Sequence, residues 1–286
     1  LTSLTGHTKR INATAFSPND KILASCDWEG KIRIWSVPEG KLLHTFSGHT
    51  SAVWSMTFTP DSGILVSSGE DRTIRLWNLH SGKQEAVLDG HTAAVLDVAV
   101  SPDGTQVVSC SLDGTLKLWD ITTKRYVKTL FDQKEYIYSV DWPRSDVIIT
   151  GSKDKTLRVL DATKGIILRD FKGHTDSVMS TDLNQNATLM TSASPDGSAR
   201  IWDFVTGKEI AQCIPFTNGE WIIVAPDGYF MASKNGARYL NVVQGMKVLS
   251  IDSFFDTYYR PDIITARLQL NDIHSEIGRA SCRERV

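Results

Sequence analysis

The chain has 286 residues, 41% of them apolar and 22% charged, and its 31 basic and 33 acidic residues leave a formal net charge of −2. This composition predicts a folded globular protein and excludes a strongly basic surface for nonspecific binding to nucleic acid. No stretch approaches the roughly 18 to 20 consecutive apolar residues of a membrane-spanning helix, and no signal peptide follows Leu1. We therefore predict a cytoplasmic protein that binds neither membranes nor nucleic acid.

An internal repeat of about 42 residues organises most of the chain. Its clearest markers, spaced by 42, 42, 41 and 42 residues, are Trp35, Trp77, Trp119, Leu160 and Trp202. Gly-His pairs follow the same period with one repeat skipped, at positions 6–7, 48–49, 90–91 and 173–174. A fixed period of this length predicts that each repeat forms one supersecondary unit that stacks on its neighbours.

Short strand patterns alternate with turn signals inside each repeat. The second repeat predicts strands at Val53–Phe58, Ile64–Ser67 and Thr73–Trp77, with a Pro-Asp turn between the first two. Each repeat therefore predicts four short antiparallel strands, and no stretch has a helical period. Because a lone sheet would expose two apolar faces, radial stacking of the sheets is favoured, which predicts an all-β fold of the propeller type.

The Gly-His pair, the Pro-Asp-Gly turn, the Ser-x-Asp-x-Thr motif and the terminal Trp-Asp resemble the WD40 repeat. The resemblance covers about residues 5–212 as five repeats, at 5–47, 48–89, 90–131, 132–172 and 173–212. Residues 213–252 are expected to form a divergent sixth blade, and residues 1–4 the outer strand of a truncated preceding blade. The resemblance thus implies a WD40-type β-propeller that is an incomplete part of a seven-bladed ring.

The same resemblance implies a buried hydrogen-bond network of His, hydroxyl, Asp and Trp in each repeat. Complete sets are expected in the third and fifth repeats, at His91, Ser111, Asp113 and Trp119, and at His174, Ser194, Asp196 and Trp202. The second repeat has His49, Asp71 and Trp77, with Gly69 at the hydroxyl position. The first has His7 and Trp35, with Glu29 at the acidic position, and the fourth has Ser152 and Asp154 but neither Gly-His nor Trp.

A histidine, an acid and a serine could also form a catalytic triad. Because the set recurs every 42 residues, we interpret it as a structural element of each repeat. No paired carboxylates, metal-ligand spacing or phosphate-binding loop accompany it. We therefore predict no catalytic residue, no metal site and no cofactor.

In proteins that resemble this one, partners dock on the wide-channel face. The positions that the resemblance implies there are Arg10, Asn12, Trp28, Trp54, Glu70, Leu96, Leu112, Tyr136, Tyr138, Lys153 and Met179. Exposed aromatic clusters mark interaction sites, so we predict a protein or peptide partner on this face. The alternative is that Trp54, Leu96 and Met179 simply pack into neighbouring blades.

The last third of the chain departs from the repeat. The segments at 219–221, 226–229 and 254–262 resemble the end of the propeller in large bacterial proteins, where a caspase-like peptidase domain often follows. This leaves a second hypothesis open, in which the chain is a sensor or regulatory module of such an enzyme. Residues 253–275 would then be a tail or linker to a missing domain. The alternative is that these segments form an ordinary closing blade with a partner-facing tail. Residues 276–286 match a translated sequencing adapter and are expected to be no part of the fold.

Overall fold

The structure, a computed structural model, describes residues 3–244 and 247–269. It divides into two compact units, residues 1–181 and 182–286, and each is described by itself. Strands account for most of the described chain. The predicted all-β fold class is confirmed.

Four four-stranded antiparallel sheets make up most of the first unit, and each has its strands in chain order. The first sheet contains β1 (Ile11–Phe16), β2 (Ile22–Asp27), β3 (Lys31–Ser36) and β4 (Leu42–Ser47). The second contains β5 (Val53–Phe58), β6 (Ile64–Gly69), β7 (Thr73–Asn78) and β8 (Lys83–Asp89). The third contains β9 (Val95–Val100), β10 (Gln106–Ser111), β11 (Thr115–Asp120) and β12 (Arg125–Asp132). The fourth contains β13 (Ile137–Arg144), β14 (Val147–Ser152), β15 (Thr156–Asp161) and β16 (Ile167–Lys172).

The hydrophobic core of this unit lies between successive sheets. Ile32 and Ile34 of the first sheet share one cluster with Val53, Leu65 and Trp77 of the second. Equivalent clusters join the second sheet to the third and the third to the fourth. The middle strands are buried along nearly their whole length, as in β6, whereas outer strands such as β8 are largely exposed. Each sheet therefore buries an apolar face against the next, which is how a propeller forms its core.

The Pro-Asp-Gly turn between β9 and β10 shows why these residues recur between the first two strands of a repeat. The Ser101 hydroxyl donates to Asp103 Oδ1 over 2.5 Å, and the Gly104 N–H donates to the Ser101 carbonyl over 2.8 Å. Gly104 has a φ of +75°, which only glycine adopts without strain. The turn thus satisfies its own polar groups and closes the hairpin.

Strand β17 (Ser180–Leu183) crosses the boundary between the two units. The second unit contains five further strands that pair antiparallel in chain order, namely β18 (Leu189–Ala193), β19 (Ala199–Asp203), β20 (Glu209–Pro215), β21 (Trp221–Val224) and β22 (Phe230–Ala232). A separate hairpin follows, β23 (Asn241–Gln244) with β24 (Lys247–Ser250).

The expected sixth blade at 213–252 is not a separate four-stranded sheet. Strands β21 and β22 instead continue the sheet of β18–β20. The reason lies in the turn at 216–220, where the Phe216 N–H donates to the Glu220 carbonyl over 2.8 Å and Gly219 has a φ of +84°. An Asn-Gly pair in such a turn closes a hairpin, and this keeps β21 beside β20.

The prediction that no segment is helical was wrong near the end of the described chain. Short 3₁₀ helices lie at Gly236–Tyr239 and Ile251–Phe254, followed by α1 (Phe255–Tyr258) and α2 (Pro261–Gln269). Within the expected sixth blade, the strand after the first of these 3₁₀ helices begins at Asn241. Pro261 at the first helical position and Asp262 in the first turn are standard signals of a helix start. They could have revealed α2 in the sequence.

Part of the expected tail at 253–275 is folded, and it packs against other residues of the second unit. Ile264 of α2 is fully buried, Tyr259 bridges to Phe230 of β22, and Arg267 forms an ion pair with Asp227 over 2.6 Å. At the other end, Ser3 and Leu4 are not in a strand, contrary to the expectation for residues 1–4. Leu1, Thr2 and the adapter-like residues 276–286 lie outside the described residues.

Candidate functional site

The third repeat contains a closed hydrogen-bond network in the interior of its sheet. His91 Nδ1 lies 2.8 Å from Asp113 Oδ2, and His91 Nε2 lies 2.7 Å from Ser109 Oγ. The indole N–H of Trp119 donates to the same Ser109 Oγ over 2.8 Å. These partners place the imidazole proton on Nδ1, so that Nε2 accepts from the serine and the serine accepts from the indole. Every polar group of the set is satisfied, as buried polar groups must be.

The prediction that Ser111 joins His91 to Trp119 was wrong, because Ser109 occupies that place. Trp119 pairs with Val107 across the ladder. Ser111 is therefore four residues farther along β10, roughly 13 Å at about 3.3 Å per residue. The Ser111 hydroxyl instead donates to the Ala93 carbonyl and accepts from the Asp113 N–H.

The same displacement by two residues recurs in the fifth repeat. The indole N–H of Trp202 donates to Ser192 Oγ over 2.9 Å, whereas the predicted Ser194 accepts from the Asp196 N–H over 3.1 Å. These four residues belong to the second unit, and His174 is a buried residue of the first.

The second repeat has a complete network that the sequence pattern missed. Ser67 Oγ lies 2.8 Å from His49 Nε2 and accepts from the Trp77 indole N–H, while His49 Nδ1 lies 3.0 Å from both carboxylate oxygens of Asp71. Gly69 leaves room for this arrangement, because a Cβ there would stand 2.6 Å from His49 Nδ1. The glycine is therefore not the site of a missing hydroxyl.

The first repeat uses Asp27 as its acid, and the prediction of Glu29 was wrong. His7 Nδ1 lies 2.6 Å from Asp27 Oδ2, and Ser25 Oγ joins His7 Nε2 to the Trp35 indole. Asp27 occupies the same position in the first repeat as Gly69 does in the second. A side chain at that position is directed towards the imidazole, as the short distance from a Cβ at Gly69 to His49 shows. A carboxylate at that position reaches the histidine directly.

In the fourth repeat, an arginine-centred network replaces the histidine network. Gln133 stands one repeat after His91, and its Oε1 accepts from Arg158 Nη1 over 2.6 Å while its Nε2 donates to Ser152 Oγ over 2.7 Å. Arg158 also pairs with Asp154 over 2.5 Å and with Asp170 over 3.3 Å. Ser152 and Asp154 thus take part, as partners of glutamine and arginine.

Thr150 of the fourth repeat occupies the position that Ser109 occupies in the third. Unlike that of Ser109, its hydroxyl has no hydrogen-bond partner nearby in the described part of the chain. Its Oγ1 is buried and has no hydrogen-bond partner among the described residues, because Leu160 replaces the tryptophan.

Thr150→Val is therefore expected to raise the free energy of unfolding by about 1 kcal/mol, since it removes an unsatisfied hydroxyl and keeps the shape. The matched change Ser109→Ala should lower it by about 1–3 kcal/mol, because His91 and Trp119 lose their shared partner. Urea unfolding of both variants checks the opposite signs, and destabilisation by Thr150→Val would contradict this account.

Hydrogen bonding keeps the network acids ionised. Burial alone would raise the pKa of the Asp71 and Asp113 carboxyls. Hydrogen bonds from His49 and Thr73 to the first, and from His91 and Thr115 to the second, hold both pKa values far below their usual range. Both carboxylates are therefore held as hydrogen-bond acceptors within their networks.

Four of the predicted partner-binding residues form a contiguous group on the first two sheets, which we call the Trp row: Arg10, Trp28, Trp54 and Glu70. The guanidinium of Arg10 lies 5.4 Å from the centre of the Trp28 ring, and that ring meets Trp54 edge to face at 6.4 Å. The Trp54 indole N–H donates to Glu70 Oε2 over 2.6 Å. Trp28 is 49% exposed, so the row presents aromatic surface to solvent.

Asn12 holds Trp28 of the row in place through hydrogen bonds. Its Oδ1 accepts from the Trp28 indole N–H, and its Nδ2 donates to the Val53 carbonyl over 2.9 Å. Asn12 is thus a positioning residue that fixes Trp28 to the second sheet.

A second group, which we call the Tyr cluster, lies on the fourth sheet and contains Glu135, Tyr136, Tyr138 and Lys153. The two tyrosines meet edge to face at 6.3 Å, and Lys153 Nζ lies 4.4 Å from the centre of the Tyr136 ring. Lys153 also pairs with Glu135 over 3.5 Å.

The remaining predicted residues differ in their surroundings. Leu96 is half-buried and packs against the core between the third and fourth sheets. This agrees with the alternative prediction that its side chain packs into a neighbouring blade. Leu112 is also half-buried. Met179 is 44% exposed.

Two broader features of the described chain bear on function. Within residues 3–244 and 247–269, no helix is long and apolar enough to cross a membrane. In the same residues, no three His, Cys, Asp or Glu side chains are grouped so that they could hold a metal ion.

Comparison with known proteins identifies relatives of the repeats. Regions of 29–39% identity are shared with translation initiation factor 3 subunit I of Schizosaccharomyces pombe (35% over 65 residues, 23% of this chain and 20% of that protein), with human THO complex subunit 6 (29% over 103 residues, 33% and 30%), and with its Arabidopsis thaliana counterpart (39% over 70 residues, 24% and 19%). The chain thus spans no more than about a third of the length of these relatives.

The family described as "WD domain, G-beta repeat" matches the chain five times, at residues 1–36, 40–78, 82–120, 124–161 and 165–203. These matches cover well over half of the chain. They coincide with the repeats that supply the sheets and the buried networks. The chain therefore belongs to the WD40 repeat family.

Proposed function

We propose that this chain is a noncatalytic scaffold that binds a protein or peptide partner through the Trp row, with the Tyr cluster as a neighbouring part of the same face. The observation that carries the proposal is the continuous contact from Arg10 through Trp28 and Trp54 to Glu70. Tryptophan and arginine dominate the energetics of protein interfaces.

The Trp row is also held in place before any partner binds. The indole N–H groups of Trp28 and Trp54 are bonded to Asn12 and Glu70, so neither ring must be immobilised on binding. Ordered side chains lower the entropic cost of association. The ordered aromatic side chains of the Trp row therefore favour a role in binding a partner.

The names of the relatives support a scaffold role. Human THO complex subunit 6 and translation initiation factor 3 subunit I are, by name, subunits of larger assemblies. By analogy we propose that this chain too works within a protein assembly, in the cytoplasm.

A double substitution tests the proposed site. Trp28→Ala with Trp54→Ala is expected to reduce capture of partners by at least about tenfold, as loss of interface hot spots does. The matched control is Val87→Ala with Val127→Ala, which removes exposed apolar side chains from the outer strands β8 and β12. The amount of partner protein that each variant captures from a lysate of the source organism is compared by quantitative pull-down. Circular dichroism checks that each variant is folded. Equal loss in both pairs, or none in the Trp pair, would reject the site.

A second candidate function is a sensor or regulatory module of a multidomain bacterial enzyme, a caspase-like peptidase. It rests on the motif resemblance at 219–262. Human apoptotic protease-activating factor 1, 26% identical over 133 residues and matched over 11% of its length, is an example of such repeats in a much longer chain. The coding sequence beyond Ser275 decides between the two, because a gene without a peptidase domain ends this idea.

A further inference from the structure

We propose that the Trp row selects a short extended peptide segment with an acidic residue at one end, a basic residue at the other and an apolar residue between them. The inference rests on the proposed function and adds the chemistry of the partner. It follows from the charges at the two ends of the row.

The two ends of the row carry opposite charges that the protein itself does not neutralise. Among the described residues, Arg10 has no carboxylate within ion-pair distance and no side-chain hydrogen bond, and its guanidinium lies over the ring of Trp28. Glu70 accepts one hydrogen bond from Trp54 and has no cationic partner in the same part of the chain.

Two other cations, one beside Arg10 in the chain and one in the Tyr cluster, are each paired with a carboxylate. Lys9 pairs with Glu29 over 3.5 Å, and Lys153 pairs with Glu135 over 3.5 Å. Paired surface charges attract a partner weakly, since the fields of the two opposite charges largely cancel at distances longer than their separation. The two ends of the Trp row are therefore available for electrostatic complementarity with a partner, which steers association and fixes its register.

The middle of the row is aromatic and so favours an apolar side chain. Trp28 and Trp54 meet edge to face at 6.4 Å. Trp28 is exposed and Trp54 is half-buried, so the row offers aromatic surface to a partner. An extended peptide advances about 3.3 Å per residue, so about four or five residues would cover the row. Such a segment places a carboxylate on Arg10, an apolar group on the indoles and an ammonium or guanidinium group on Glu70.

A random-peptide display library selected on the purified chain tests this inference without knowledge of the natural partner. The expected result is enrichment of sequences with an acidic residue, a central apolar or aromatic residue and a basic residue at the stated spacing. Binding of enriched peptides should weaken as salt rises, because the end contacts are exposed ion pairs.

Charge variants then assign each end. Arg10→Met keeps the aliphatic stem over Trp28, and Glu70→Gln keeps an acceptor for the Trp54 indole, so each removes charge with little change in shape. Each should weaken binding about two- to fivefold, as expected for an exposed pair. Arg10→Glu should reverse the preference at its end, so that reselection yields peptides that are basic at both ends. The double change Arg144→Met with Asp146→Asn, which removes both charges of an exposed ion pair outside the Trp row and the Tyr cluster, should leave affinity unchanged.

The outcomes separate this inference from the proposed function. Enriched peptides that lose binding with Trp28→Ala and Trp54→Ala but show no charge pattern overturn the inference and leave the proposed function standing. Enriched peptides that bind the Trp variants normally overturn both. A selection without any enrichment also counts against both, and an unchanged preference in Arg10→Glu overturns the inference alone.

Discussion

Asp27→Ala is expected to lower the free energy of unfolding by about 3 kcal/mol. The change leaves the Nδ1–H of His7 without its partner at 2.6 Å and removes the acceptor of the Glu29 and Lys31 backbone N–H groups. Removing one partner from a buried polar network costs more than the hydrogen bond itself contributes, because the other partner stays buried and unpaired. Urea unfolding followed by tryptophan fluorescence measures the loss.

Glu29→Ala is the matched control, since Glu29 is the acid that the sequence spacing favoured. Its side chain is 44% exposed and contacts only Lys9 over 3.5 Å among ion pairs. Exposed pairs of this kind contribute little, so the change should stay within about 0.5 kcal/mol. If Glu29→Ala destabilised the chain as much as Asp27→Ala, the assignment of Asp27 to the network would be wrong.

The second large effect is expected at Asp97, which joins three inner strands. Asp97 lies in β9, its Oδ2 accepts from the Val140 N–H of β13 over 3.0 Å, and it is hydrogen-bonded to Ser55 of β5. Burial raises the pKa of the Asp97 carboxyl to about 6, and these hydrogen bonds only partly oppose the shift. A carboxyl in this place therefore changes its charge near neutral pH.

The raised pKa gives the contribution of Asp97 to stability a defined sign. An acid whose pKa is higher in the folded state stabilises the fold fully below its unfolded pKa, near 3.9, and that contribution is lost as pH rises through about 6. Asp97→Asn keeps an oxygen acceptor for Val140 and carries no charge at any pH. The stability of the wild-type chain relative to Asp97→Asn should therefore fall by roughly 2 kcal/mol between pH 4.5 and 7.5.

Paired urea titrations of the two proteins across this pH range make the measurement. The difference between them cancels the titration of the other groups. It also excludes the Asp71 and Asp113 carboxyls, whose lowered pKa values have the opposite sign and destabilise the fold only at more acidic pH. A difference that is flat with pH, or that grows as pH rises, would show that Asp97 is not a buried acid with a raised pKa.

The repeat networks show how far sequence reasoning reached. The WD40 resemblance paired His91 with Asp113 and His49 with Asp71, and each pair stands at the same offset in its repeat. It placed the bridging hydroxyl at Ser111, two residues from Ser109, because a run of serines in β10 offers two candidates on one face of the strand. Only the pairing of Trp119 with Val107 decides between them.

The candidate binding site shows the same division. The positions of Trp28 and Trp54 followed from the repeat, but their contact, and their bonds to Asn12 and Glu70, join residues 16 to 26 positions apart in the chain. Leu96, taken from the same repeat position as Trp54, instead packs against the core. Neighbouring sheets therefore decide what each of these half-buried side chains contacts.

The sequence by itself determined that this chain folds as repeated four-stranded sheets, because the apolar alternation and the turn residues of each strand act over a few neighbouring positions. The tertiary structure alone decided the network partners Ser109, Ser67 and Asp27, and the place of β21 and β22 in the preceding sheet. Those features depend on ladder register and on the fit of side chains between strands. Strand pairing sets both the register and the side-chain fit. A residue's position in the chain does not by itself give its partner across the sheet.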